Sequence, residues 1–148
     1  MPIVPRLTIL LAAVPGRTGG ETHAGGIRSL YAALRAGDVG AVLDRLAPGI
    51  EWEEDRGGPG LPIRRRHLGR RAVARLLADP GGFPRALDLV HLVESDGEVA
   101  ALVAEGASPE PEEVVPLRLE AHLWTLDPSG LVTRFRQIAG PARMPTRH

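Results

Sequence analysis

Apolar residues recur at helical spacing from residue 27 onward, where Ile27, Leu30, Tyr31 and Leu34 draw one stripe along a first helix. Gly37 supplies a C-terminal stop, and Asp38 stands where a side-chain oxygen caps a second helix. Val39, Val42, Leu43 and Leu46 form the second stripe, closed by Ala47-Pro48-Gly49. A strand then begins at Ile50-Glu51-Trp52 and runs into three consecutive acids, Glu53, Glu54 and Asp55. Glycine and proline make a loop of residues 56–62. Arg64, Arg65 and Arg66 follow, as an anion site near a helix start or, the favoured reading, as a solvated rim whose stems cover apolar surface. A third helix is expected from about Arg70 to Ala78, with Ala72, Val73, Leu76 and Leu77 facing inward.

From Arg85 the period changes to two. Leu87, Leu89, His91 and Val93 alternate with Asp88, Val90, Leu92 and Glu94, and Ser95-Asp96-Gly97 marks a hairpin. Strands are predicted over Glu98–Ala107, Val114–Leu126 and Leu131–Ala139, separated by an acidic, proline-rich loop and the turn Asp127-Pro128-Ser129-Gly130. In the long strand Leu117, Leu119, Ala121 and Leu123 share one face, and Arg118, Glu120, His122 and Trp124 share the other. Helices followed by long strands predict an α+β domain, a cone in which a curved antiparallel sheet wraps around the N-terminal helices. The wide end of such a cone is a natural pocket for a small hydrophobic molecule.

Composition narrows this only a little. A chain of 148 residues is most simply one domain, here residues 27–140, with an extension over 1–26 and a tail over 141–148. The formal charge is zero, so nothing draws the chain generically to nucleic acid or to a membrane surface. Arginine carries all the positive charge, since lysine is absent, a bias of GC-rich bacterial coding. Without cysteine there is no disulfide, thiolate nucleophile or cysteine-bound zinc. The apolar run Leu7–Val14 is interrupted upstream by Pro2 and Pro5 and lacks an Ala-x-Ala site, so it reads as an extra strand or extension rather than a signal peptide, and a cytoplasmic location is expected. No zincin, P-loop or dinucleotide motif occurs, and neither a cofactor nor a metal is predicted.

Among chemical candidates Glu54 leads. Walled in by Trp52, Tyr31 and Leu123, it would be a desolvated general base; the plain alternative is that the three acids mark a strand leaving the core. His91 shares a face with Leu87, Leu89 and Val93, and so lines the pocket or sits hydrogen-bonded in the core. His122, opposite Leu119, Ala121 and Leu123, would point to the convex side, as an interface residue or a proton shuttle. Glu120 and Arg118 would pair across the surface, on the face where Trp124 would stand exposed.

Several strings resemble the SnoaL-like polyketide cyclases, in the nuclear transport factor 2-like superfamily that also holds ketosteroid isomerase and limonene epoxide hydrolase. They are Leu30-Tyr31-Ala32-Ala33-Leu34 with Ala36-Gly37-Asp38, then Leu46-Ala47-Pro48, Ile50-Glu51-Trp52, His67–Val73, His122-Leu123-Trp124 and Gly130–Arg136. The resemblance covers roughly residues 26–140 and implies a cone pocket touching Tyr31, Trp52, Glu105, Ala121, Leu123 and Phe135, and a cofactor-independent isomerase, cyclase, dehydratase or hydrolase. It implies Glu54 as the general base and a homodimer through the convex sheet face, which exposed Trp124 would support; in the mechanism expected here a pocket polar group, Gln137 or His91, orients the reacting oxygen. The isomerase's oxyanion tyrosine falls on Leu30 and its protonated aspartate on Ala121, so both donors are missing. Gln137 stands where the epoxide hydrolase carries its last-strand aspartate. A non-catalytic ligand-binding or dimerisation module of the same fold is the alternative.

Overall fold

A computed structural model of the chain describes residues 22–55, 63–80, 82–84, 87–105 and 118–143. The predicted strand or extension over Leu7–Val14, the loops at 56–62 and 108–113 and the last residues of the tail lie outside them. Thr22 Oγ1 accepts the Gly25 amide at 2.9 Å and opens helix α1 (His23–Ala36), ahead of the predicted start at Ile27. Gly37, at φ 72°, ends it as expected, with the Asp38 amide donating to Ala33 O at 2.9 Å. Asp38 Oδ1 then accepts the Ala41 amide at 3.1 Å and caps helix α2 (Val39–Asp44).

Strand β1 (Leu46–Asp55) follows, and the triple-arginine segment is itself a strand, β2 (Arg64–Leu68), paired antiparallel to β1. Helix α3 (Gly69–Ala78) buries Val73, Leu76 and Leu77. The remaining strands are β3 (Leu87–Ser95), β4 (Glu98–Glu105), β5 (Arg118–Leu126) and β6 (Val132–Arg143). Their order is β2-β1-β6-β5-β4-β3 in one curved, unclosed sheet.

The sheet is mixed rather than antiparallel, because β1 and β6 run parallel, with Trp52 beside Phe135 and Glu53 beside Arg136. Connectivity is the reason. β2 reverses β1, α3 carries the chain to the far edge, and successive reversals from β3 leave β6 alongside β1.

All three helices cover the concave face: α1 lies against β3 and β4, α3 against β1 and β2, and α2 bridges the other two. Hydrogen bonds pin α1 at both ends, from the Ala24 amide to Glu94 Oε1 at 3.0 Å and from Arg35 to Asp88 at 2.7 Å. After α3 the chain turns so tightly that a Cβ on Gly82 would lie 2.1 Å from the Leu76 carbonyl oxygen. That turn delivers Phe83 into the core.

Residues paired across a sheet share a face. Val99 and Trp124, Ala101 and His122, and Val103 and Glu120 therefore line the concave side together. Leu123 and Ala121, paired with Ala100 and Leu102, are convex. This inverts the predicted faces of β5, and Trp124 is fully buried rather than exposed. A register break between Leu89 and His91 corrects a second expectation. Leu87, Leu89 and Leu92 keep to the concave side, whereas His91, opposite Leu102, is convex with Val93.

On the convex side of β1, Glu51 and Glu53 lie between arginines from both neighbouring strands. Glu53 has Arg66 and Arg136 at 3.6 Å, Arg134 at 3.3 Å and Arg64 at 3.8 Å, and Glu51 has Arg66 at 3.2 Å.

Candidate functional site

Two polar constellations occupy the concave wall. The deeper one begins at Trp124, whose indole N–H donates to Tyr31 Oη at 2.9 Å. An indole can only donate, so the Tyr31 proton goes to His122 Nδ1, 2.6 Å away. Were Nδ1 protonated too, the Tyr31 hydroxyl would have no acceptor among the described residues. The His122 proton is therefore on Nε2, which donates to Glu120 Oε1 at 3.0 Å. Gln137 Nε2 donates to the same oxygen at 2.6 Å, and Gln137 Oε1 accepts the Asp55 amide at 2.7 Å. Every link but the one to the Asp55 amide is buried, and His122 is fully enclosed.

Burying an unpaired polar group costs about 1–3 kcal/mol, so this cluster is tolerated inside only because its members satisfy one another. Burial pushes the Tyr31 phenol well above its ordinary range; the Trp124 N–H opposes that shift and the Glu120 charge adds to it. Tyr31, Phe83, Trp124 and Phe135 surround the imidazole, and Trp52 packs against the last three of these rings. Phe135 stands edge-on to His122 at 4.9 Å, and Tyr31 stacks on it at 5.9 Å. The floor of the cone is thus packed. Trp52 belongs to this packing, and its Nε1 has no hydrogen-bond partner among the described residues.

The second constellation lies nearer the rim. Glu54 is 3% exposed and meets His67 Nε2 at 2.8 Å, while the His67 side chain is 20% exposed. β1 delivers the carboxylate and β2 the imidazole, since Trp52 pairs with His67 and Glu54 with Arg65. Gln137 joins the constellations: it grips Glu120 on one side and, through the Asp55 amide, the β1 end that carries Glu54 on the other.

The structure brings together Glu54, Gln137, His122, Tyr31, Trp52 and Phe135 on one wall. Ala121, Leu123 and His91 fall on the opposite face, which removes them from any concave site. Glu105 ends β4, and its side chain lies outside the described residues. Gln137 uses Oε1 and one of its two amide N–H groups within the protein. Glu120 is buried rather than paired at the surface, for want of a way to tell the inner face of β5.

His67 stands on β2. A signal for its true position exists: an arginine-rich segment following an acid-rich strand is the charge complementarity of a paired β1–β2. A cleft of about 620 Å³ opens at the other end of the sheet, lined by Thr22, His23, Asp44, Arg45 and Ser129 among others, and no predicted site residue reaches it. Among the described residues, no group of three or more potential metal ligands gathers, and no helix is long and apolar enough to cross a membrane.

No protein-family model and no curated protein matches the sequence. Solved structures do. TerC, co-crystallised with polyporic acid, superposes with a TM-score of 0.62 at 20% identity, over 80% of this chain and 91% of that one. A ketosteroid isomerase-like protein of Kribbella flavida gives 0.60 at 15% identity, over 85% and 83%. An LEH-like epoxide hydrolase of Mycobacterium tuberculosis gives 0.56 at 19% identity, over 76% and 77%. At such identities the likeness speaks for architecture alone. With helices laid in a curved, unclosed mixed sheet, the chain has the nuclear transport factor 2-like fold.

Proposed function

We propose that the chain is a cofactor-independent enzyme acting on a small hydrophobic, carbonyl-bearing molecule by general acid–base catalysis, with Glu54 as base and His67 as its partner. One observation carries this reading: a buried carboxylate on the concave wall, held by an imidazole that reaches toward solvent. An ionised carboxylate only accepts hydrogen bonds, so the His67 proton lies on Nε2 and fixes Glu54 Oε2. Glu54 takes a proton from the carbon beside the carbonyl, the electron pair moves onto the carbonyl oxygen, and the carboxyl returns the proton elsewhere on the substrate. The small-molecule ligand of TerC and the isomerase- and hydrolase-like structures support a ligand of this kind. A polyketide-like substrate fits the same reading, as do aldol cyclisation, dehydration and hydrolysis.

The Tyr31–His122–Glu120 chain serves as a scaffold here rather than a shuttle. It holds Gln137, and Gln137 holds the strand end that aims Glu54. Screening ketones, enones and epoxides tests the proposal. Turnover should fall about 100-fold or more in Glu54→Gln and by a smaller factor in His67→Asn. Turnover equal to wild type in both variants would refute the assignment.

A second reading, a ligand-binding or dimerisation module without catalysis, is favoured by one specific observation: the cone floor is filled by its own aromatic side chains. Under either reading the convex apolar surface, with Val93 53% exposed beside Ala100, Leu102, Ala121 and Leu123, is the face that a second copy would cover.

A further inference from the structure

The run Arg64-Arg65-Arg66 divides between the two faces of β2. Arg64 and Arg66 are convex and paired to Glu53 and Glu51. Arg65 pairs in register with Glu54 and therefore shares the concave side with Glu54 and His67. It is exposed, and among the described residues it makes no ion pair or side-chain hydrogen bond. Its nearest carboxylate in register is Glu54, and that group is engaged by His67 instead. The rim thus holds a guanidinium with its donors unmatched, next to the pair that would move the proton.

We infer that Arg65 recognises an anionic group on the substrate. The preferred ligand is then a hydrophobic carbonyl compound that also bears a carboxylate or a comparable planar anion close to its reacting carbon. The chemistry favours this assignment. A guanidinium presents a planar fork of N–H donors that matches a carboxylate two bonds at a time. Arg65 also offsets the Glu54 charge that would otherwise repel such a ligand. The inference rests on the concave rim being the ligand site, as in the proposed function, but not on Glu54 being a base.

A matched pair of probes tests it, naphthalene-2-carboxylate against naphthalene-2-carboxamide, which differ in charge and little in shape. Binding to the full chain is followed by tryptophan fluorescence and by calorimetry, so no turnover is needed. Wild type should bind the carboxylate about 10-fold more tightly than the amide, and Arg65→Gln should bind the two alike. Glu54→Gln should keep the preference. Equal affinity in wild type, no measurable binding of either probe, or a preference that survives in Arg65→Gln would overturn the proposal. Arg65 would then be an edge charge that keeps β2 from pairing with other chains. A preference that depends on Arg65, in a protein whose turnover is indifferent to Glu54→Gln, would instead uphold this inference and sink the catalytic one. Arg65 is exposed on an edge strand, so the variant is expected to fold, and an unchanged far-ultraviolet circular dichroism spectrum checks it.

Discussion

Tyr31 has its hydroxyl held from two sides, by an indole donor and an imidazole acceptor, inside a wall that admits no solvent. Its phenol is raised by burial first, and ionisation would place a second negative charge near Glu120. The stability this contributes is fully present below about pH 10, where an unfolded tyrosine titrates, and is lost as pH rises through and beyond that point. Since the chain has one tyrosine, tyrosinate absorbance near 295 nm reads it directly. It should not appear until the protein unfolds, and Tyr31→Phe should flatten the alkaline limb of the melting-temperature profile. A smooth titration of the folded protein near pH 10 would contradict the enclosed geometry. Tyr31 and Trp52 were legible in the sequence as buried, because large apolar rings at helix and strand positions have nowhere else to go. The role of His122 was not, since one imidazole on an alternating strand fits either face until its partners are known.

At the scale of elements, the local chemistry was the most readable part. Gly37 and Asp38 stop one helix and start the next as their backbone and side-chain preferences require, and Ser95-Asp96-Gly97 turns a hairpin with Gly97 at φ 72°. Alternation in β5 also showed two faces. It could not show which was inner, because Leu119, Ala121 and Leu123 looked like core, whereas Glu120 and His122 are buried by pairing with residues far away in sequence. The bulge after Leu89 was invisible for a related reason: an added residue flips every later side chain, and only the partner strand reveals it. Gly82 offers a direct test of element packing. A methyl group there must displace the end of α3 or withdraw Phe83 from the cluster. Gly82→Ala should therefore lower stability by about 1–3 kcal/mol, measured by urea unfolding, and an unchanged midpoint would mean that the turn relaxes freely.

For the whole molecule the convex face divides in two, an ion-pair ladder over β2, β1 and β6 and an apolar field over β5, β4 and β3. The apolar half suits a symmetric partner that excludes water, and the ladder half needs none. Light scattering is accordingly expected to give a mass near double the 15.8 kDa of the chain, with Leu123→Arg returning the monomer. A wild-type monomer at high concentration would remove the second copy from this face.

The parallel contact between β1 and β6 has a bearing on how the protein is made. The strand carrying Glu54 leaves the ribosome early, yet its neighbour on the inner side of the sheet is the latest of the described strands to emerge. Until then the Glu54 edge can pair only with β2, and Gln137 is not there to hold it. Pairing so distant in sequence is slow, because a long loop must close before any contact compensates. The wall is therefore assembled only when β6 arrives. A nascent chain stalled before β6 would carry the rim pair of Glu54 and His67 without the deep cluster behind it.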